Sequence, residues 1–181
     1  MKKIIFTGPE STGKSTIASM VANFYGIKWV REYARIYLDN LGRAYQETDL
    51  LDIAKGQIKA EEKVAKMEQP FLICDTSLLV LKIWSEFKYG RCHPWILTQL
   101  HQNLPTLYFL CDVDVEWEYD PLREHPHQRT MLFEKYRQEL DALKVPYIMI
   151  RGDKDQRKKE ALDILSIYTK QSREARSENR D

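Results

Sequence analysis

Residues 7–16 read TGPESTGKST, directly behind the apolar run Ile4-Ile5-Phe6. Within them Gly8-Pro9-Glu10-Ser11-Thr12-Gly13-Lys14-Ser15 follows the pattern G-x-x-x-x-G-K-[ST]. The chain has 181 residues and only seven glycines, and two of those glycines belong to this motif. The chemistry such a pattern serves is the binding of a polyphosphate. Successive backbone N–H groups cradle a triphosphate only where the loop wraps closely, which calls for glycine at both ends. A helix opening near Lys14 aims the positive end of its dipole at the anion. In that arrangement Lys14 reaches the β- and γ-phosphates of ATP and the Ser15 hydroxyl ligates Mg²⁺. Glu10, Ser11, Thr12 and Thr16 complete the expected nucleotide-binding set. The context suits the motif, because a strand-like run precedes it and an amphipathic run (Ile17, Ala18, Val21, Ala22, Phe24, Tyr25) follows.

Further polar groups stand behind other apolar runs, where an open α/β sheet binds its ligands. Asp75 closes Phe71-Leu72-Ile73-Cys74, the place where a strand-end carboxylate holds Mg²⁺; an aspartate there equally caps a following helix. Arg31-Glu32-Tyr33-Ala34-Arg35 follows a short run at Lys28–Val30. Glu32 is a candidate to take a proton from a substrate hydroxyl or to bind a ribose. Arg31 and Arg35, four apart, are candidates for anion recognition, and Tyr33 lies with them on the expected substrate side. Acidic residues also favour solvated helix starts, and the arginines would serve a surface ion pair as well. Gly152, between Arg151 and Asp153 behind the last apolar run, is expected near the nucleotide. Trp84 and Tyr89 could stack on a flat ring, a cationic one included, although aromatics at helical spacing commonly belong to a core. Between Asp112 and Arg129 come two prolines, two histidines and two arginines, which suggests a mobile lid whose Arg123 and Arg129 neutralise a transferring phosphoryl group. His125 and His127 lack a third ligand, so no metal is expected there.

These residues need a scaffold. Strands are expected at Lys3–Thr7, Lys28–Val30, Phe71–Asp75, Thr106–Cys111 and Tyr147–Ile150, with Pro70, Pro105 and Pro146 just ahead of three of them. Helices are expected at Lys14–Tyr25, Glu32–Leu41, Thr48–Glu68, Leu78–Tyr89, Trp95–Asn103, Gln128–Leu143 and Gln156–Lys170. Strands alternating with helices imply right-handed crossovers and a parallel five-stranded sheet covered on both faces, an α/β fold. Residues 1–171 read as one domain. The segment 172–181, SREARSENRD, reads as a charged, disordered tail.

Composition excludes several classes. Lys plus Arg (28) nearly cancel Asp plus Glu (27), giving net charge +1 and no basic field of the kind that marks a nucleic-acid binder. No window approaches the roughly 20 apolar residues of a membrane span. The polar TGPESTGK interrupts any signal-peptide core, so a cytoplasmic protein is expected. Cys74, Cys92 and Cys111 have neither even number nor CxxC spacing, which argues against disulfides or zinc; Cys74 and Cys111 read as core residues.

Taken in order, GPESTGKST, REYAR, CDTSLLVLKIWSE, CDVDVEWEYDPLRE with Arg129, and PYIMIRGD resemble the kinase domain of the NadR proteins, the ribosylnicotinamide kinases, over about residues 1–168. The resemblance implies a P-loop kinase with a three-layer α/β/α fold and a lid. Its activity would be transfer of the γ-phosphoryl of ATP, with Mg²⁺, to the ribose 5′-hydroxyl of nicotinamide riboside, giving NMN in NAD salvage. By the same resemblance Gly8, Gly13, Lys14, Ser15 and Thr16 form the phosphate loop, Asp75 is the strand-end acid and Arg123 and Arg129 belong to the lid. Glu32 lies in the segment that meets the nucleoside. Two departures stand out: Asp75-Thr76-Ser77 replaces the family's usual DTD, and the adenylyltransferase region that precedes the NadR kinase is not seen ahead of the first strand. The expected partner is a small-molecule nucleoside, with no nucleic acid and no membrane. Rival readings are a kinase of another nucleoside or nucleotide, such as a deoxynucleoside or thymidylate, and a nucleotide-dependent regulatory ATPase.

Overall fold

A strand buried on both faces of a parallel sheet must be apolar along its whole length, with alternate side chains feeding opposite layers. The computed structural model describes residues 1–123 and 127–178, and it shows this pattern. The elements run β1 (Lys2–Thr7), α1 (Lys14–Tyr25), β2 (Trp29–Val30), α2 (Tyr33–Asp39), α3 (Glu47–Ala65), β3 (Phe71–Asp75), α4 (Leu78–Tyr89), α5 (Pro94–Gln102), β4 (Leu107–Cys111), α6 (Arg129–Leu143), β5 (Tyr147–Ile150) and α7 (Lys154–Glu178). The five strands are parallel in the order β2-β3-β1-β4-β5. Ile4 and Phe6 of β1, Phe71 and Ile73 of β3, and Leu107 and Phe109 of β4 face one layer, closed by Ile17 and Val21 of α1 and Ala161 and Leu165 of α7. Ile5, Leu72, Cys74, Tyr108 and Leu110 face the other, under α2 through α6. Phe6 and Phe109 stack at 5.0 Å between centroids and lock the two central strands. Cys74 and Cys111 are buried free thiols, as expected of core residues.

The strand order sets the site. β1 lies between β3 and β4, so the chain leaving β1 at Thr7 emerges where the connections diverge to opposite sides. Parallel register places Phe6 opposite Asp75, and the Thr76 N–H donates to the Phe6 carbonyl at 2.9 Å. Asp75 therefore sits beside the start of the phosphate loop. Every expected strand and helix is present, with no end shifted by more than three residues apart from the last helix. α7 begins two residues earlier than expected and continues to Glu178, past Ser172, where a disordered tail was expected; the stretch is rich in Arg, Glu and Ala, which favour helix. Among the described residues no helix is long and apolar enough to cross a membrane.

Candidate active site

Two glycines make the loop between β1 and α1 possible. Gly8 has φ 134°, and a Cβ on it would stand 2.7 Å from the Cys111 carbonyl oxygen, closer than any side chain tolerates. Gly13, at φ 77°, is the residue on which α1 opens. Between them Ser11 also takes a positive φ of 54°. The buried Thr12 hydroxyl donates to the Pro9 carbonyl at 2.8 Å, and Lys14 Nζ donates to the same carbonyl at 2.6 Å. Lys14 is thus folded across its own loop, next to the first turn of α1, where Ser15 and Thr16 are exposed.

Facing this loop are two carboxylates from neighbouring strand ends. Asp75 is buried, and burial is the main cause that raises its pKa; the Ser15 hydroxyl, the Lys14 and Arg35 charges and the Glu32 N–H oppose the rise. Its Oδ1 has no hydrogen-bond partner. Glu32 occupies the N-cap position of α2 without capping it, so its side chain is not spent on the helix end. Burial and then the Asp75 charge push the Glu32 carboxyl above its usual range, against the pull of Lys14 and Arg35. The residue after Asp75 is strained: Thr76, β-branched, holds φ 69°. Ser77, standing where the family's second aspartate would be, caps α4 by accepting from the Leu79 N–H at 3.3 Å and lies 3.5 Å from the Tyr108 hydroxyl.

A cleft of about 490 Å³ runs from the loop past Glu32 into an apolar end formed by Leu38 of α2, Val80, Ile83, Trp84 and Phe87 of α4, and Leu132 and Tyr136 of α6. Trp84 is oriented by its indole N–H, which donates to the Tyr45 hydroxyl at 2.8 Å, with the two rings edge to face at 4.8 Å. Arg35 lines the cleft and pairs with Asp120 at 2.9 Å, joining α2 to the segment after β4.

The segment 113–123 lies against the phosphate loop at Ser11. The Glu118 N–H donates to Ser11 Oγ at 2.9 Å and Arg123 donates to the same atom at 3.3 Å and to the Glu118 carbonyl. Arg129, first residue of α6, donates to the Ser11 carbonyl at 3.0 Å and the Val115 carbonyl at 2.9 Å. Burial lowers its pKa. Both expected lid arginines therefore hold backbone oxygens around the loop. The stretch with Glu124, His125 and Pro126 lies outside the described residues.

The structure does not bring all expected residues to the cleft. Arg31 precedes α2 and is exposed, its guanidinium 5.7 Å from the Trp29 ring centroid. Because α2 begins only at Tyr33, Arg31 does not share a helical face with Arg35. The Tyr33 N–H donates to Gln57, and its ring lies where a Cβ on Gly56 would be, so it packs on α3. Tyr89, at the end of α4, packs partly buried against the core and not on the cleft. The Gly152 N–H is taken by Asp114 at 2.6 Å. Conversely, Lys154 and Arg157 of α7 line the cleft. In sequence they belong to a charged run that reads as a solvated helix start, and nothing in it signals otherwise.

A parallel sheet in this order, a phosphate loop between β1 and α1, and an acid at the end of β3 define the P-loop class in its nucleoside- and nucleotide-kinase-like form. The AAA domain family matches residues 3–157, and the chain belongs to that family. Over 127 residues it is 27% identical to the trifunctional NAD biosynthesis/regulator protein NadR of Salmonella typhimurium strain LT2, covering 68% of this chain and 31% of that protein. Among solved structures, NadR in complex with NR superposes with a TM-score of 0.74 at 20% identity, covering 93% of this chain and 51% of the other. Thymidylate kinase from Ehrlichia chaffeensis follows at 0.61 and 16% identity, over 91% and 98% of the two chains. The NadR resemblance drawn from the motifs is borne out; the chain spans about a third of the curated NadR sequence and half of the solved one.

Proposed function

We propose that the chain is an ATP-dependent kinase that phosphorylates the 5′-hydroxyl of nicotinamide riboside. The observation that carries this is the cleft joining the phosphate loop, Glu32 and the aromatic, apolar end around Trp84, with Asp75 buried next to Glu32. The chemistry divides along its length. Loop N–H groups and Lys14 hold the triphosphate, with Lys14 exchanging the Pro9 carbonyl for phosphate oxygens. The residues fit Mg²⁺: Asp75 has a buried, unpartnered Oδ1 beside the exposed Ser15 hydroxyl, and this ion takes few protein ligands in kinase sites. No cluster of three His, Cys, Asp or Glu exists among the described residues, which suits an ion that shares phosphate and water ligands. When bound, the metal supplies charge neutralisation on the phosphate oxygens.

Asp75 is engaged by Ser15, which leaves Glu32 as the group to accept the hydroxyl proton. Its raised pKa makes it a stronger base than an ordinary carboxylate. The substrate oxygen attacks the γ-phosphorus, the bond to the bridging oxygen breaks, and ADP leaves. At the acceptor end Trp84 offers a face for a flat, cationic ring, and the acidic Glu32 complements its charge. Arg35 is paired with Asp120, so the cation nearest this end is already neutralised; this favours a nucleoside over an acceptor bearing its own phosphate. The expected setting is the cytoplasm. ADP release with Mg·ATP, measured against a panel of nucleosides with mass spectrometry of the products, tests the proposal. Gain of one phosphoryl group by nicotinamide riboside is expected. Preference for thymidine or another nucleoside would transfer the assignment to that acceptor, and ADP with no modified acceptor would replace the kinase with an ATPase.

A further inference from the structure

Arg157, in the first turn of α7, is only 1% exposed, and it heads the fully buried side chains by volume among the described residues. It donates from Nε to the Gly152 carbonyl at 2.8 Å, from Nη1 to the Thr12 carbonyl at 2.6 Å, and from Nη2 to the Asp112 carbonyl at 3.2 Å and the Asp114 carboxylate. Asp114 in turn accepts from the Gly152 N–H. One guanidinium thus ties together the turns that follow β1, β4 and β5. Burying a cation is costly, and an apolar side chain would pack the same volume without that desolvation.

The bond to Thr12 has a directional consequence. In a planar trans peptide the C=O and N–H point opposite ways. With the Thr12 carbonyl held by Arg157, the Gly13 N–H is turned away from it. Arg129 does the same to the Ser11 carbonyl, and Thr12 Oγ1 with Lys14 does so to that of Pro9. The Pro9, Ser11 and Thr12 carbonyls are thereby occupied, which turns the N–H groups that follow them away from those partners and leaves them to an anion.

We infer that Arg157 is a positioning residue for nucleotide binding, which fixes the Thr12–Gly13 peptide in its anion-binding orientation and anchors the loop to the turns after β4 and β5. This rests on the reading of the cleft as a nucleotide site. Lysine keeps the charge but lacks the planar fork that spans three carbonyls, so Arg157→Lys separates charge from geometry. The test is calorimetric titration of wild type, Arg157→Lys and Asp114→Asn with Mg·ATP and with nicotinamide riboside, alongside melting temperatures and hydrogen exchange of the loop amides. Arg157→Lys is expected to weaken Mg·ATP about tenfold, to leave nicotinamide riboside within about twofold, and to speed exchange at Thr12 and Gly13. Asp114→Asn, at a partly exposed position, is expected to weaken Mg·ATP about threefold. Wild-type affinity for Mg·ATP in folded Arg157→Lys overturns the inference, as does equal weakening of both ligands. If Arg157→Lys does not fold, unchanged Mg·ATP affinity in Asp114→Asn overturns it. Wild type that fails to bind Mg·ATP refutes the nucleotide-site reading instead and removes the premise with it.

Discussion

Glu32 and Asp75 are acids kept close together in a poor solvent for charge, and the pKa of each is raised chiefly by burial. Such groups work against stability. Below the ordinary carboxylate range Glu32 is protonated in folded and unfolded chains alike and contributes nothing. As pH rises through the window between its unfolded and its higher folded value, the unfolded state ionises first and the fold is progressively penalised. Glu32→Gln is therefore expected to melt about 2–4 °C higher than wild type at pH 7, equivalent to about 1 kcal/mol. The difference should vanish near pH 3, below the ordinary carboxylate range, where the carboxyl is neutral in both states. The same substitution should lower turnover about a hundredfold, the contribution of a positioned general base. Calorimetry at the two pH values and the product assay check the pair of outcomes; a destabilised variant, or one with full turnover, contradicts the role given to Glu32.

At the scale of elements, what carries Glu32 and Arg35 is the short helix α2, and seven residues do not hold a helix by themselves. Asp49 of α3 supplies the anchorage. Its carboxylate accepts from Tyr37 of α2 at 2.9 Å, from both terminal nitrogens of Arg43 at 2.8 Å, and from the Gln46 N–H at 2.7 Å. The Arg43 hydrogen bonds lead in holding it well below the usual carboxylate range. Asp49→Ala should cost roughly 2 kcal/mol in a guanidinium titration at pH 7. A depressed carboxylate stabilises above its unfolded acidity constant and loses that contribution as pH falls toward the folded value. The gap between wild type and variant should accordingly narrow by pH 3; a constant gap would contradict the charge-based anchorage.

For the whole molecule, the turns following β1, β3, β4 and β5 meet at one edge of the sheet, where Arg123, Arg129 and Arg157 already tie the phosphate loop to its neighbours, so a ligand there bridges several elements at once. A ligand at about 100 times its dissociation constant stabilises the fold by about 2.7 kcal/mol. Saturating Mg·ATP is therefore expected to raise the melting temperature by about 5–10 °C. Lys14→Ala should abolish this shift and the turnover while melting within about 2 °C of wild type without ligand, since Lys14 bonds only its own loop. A full Mg·ATP shift in Lys14→Ala would remove Lys14 from the phosphate site.

Local pattern was enough for the strands, the helices and the phosphate loop. Apolar runs such as Phe71–Cys74 and Leu107–Cys111 have the length of buried strands, the prolines ahead of them stop preceding helices, and the spacing of Gly8, Gly13 and Lys14 encodes a backbone shape within eight residues. α7 runs on through a charged stretch whose Arg, Glu and Ala favour helix. What only the tertiary structure decided is which way each side chain faces. Tyr33 and Arg35 are two residues apart, about 200° around a helix, so packing of α2 on α3 sends one to Gly56 and leaves the other at the cleft. Arg157 stands in a run of charges that looks solvated; it is buried because α7 docks where three strand-end turns meet, a convergence of residues up to 145 positions apart that no local spacing records.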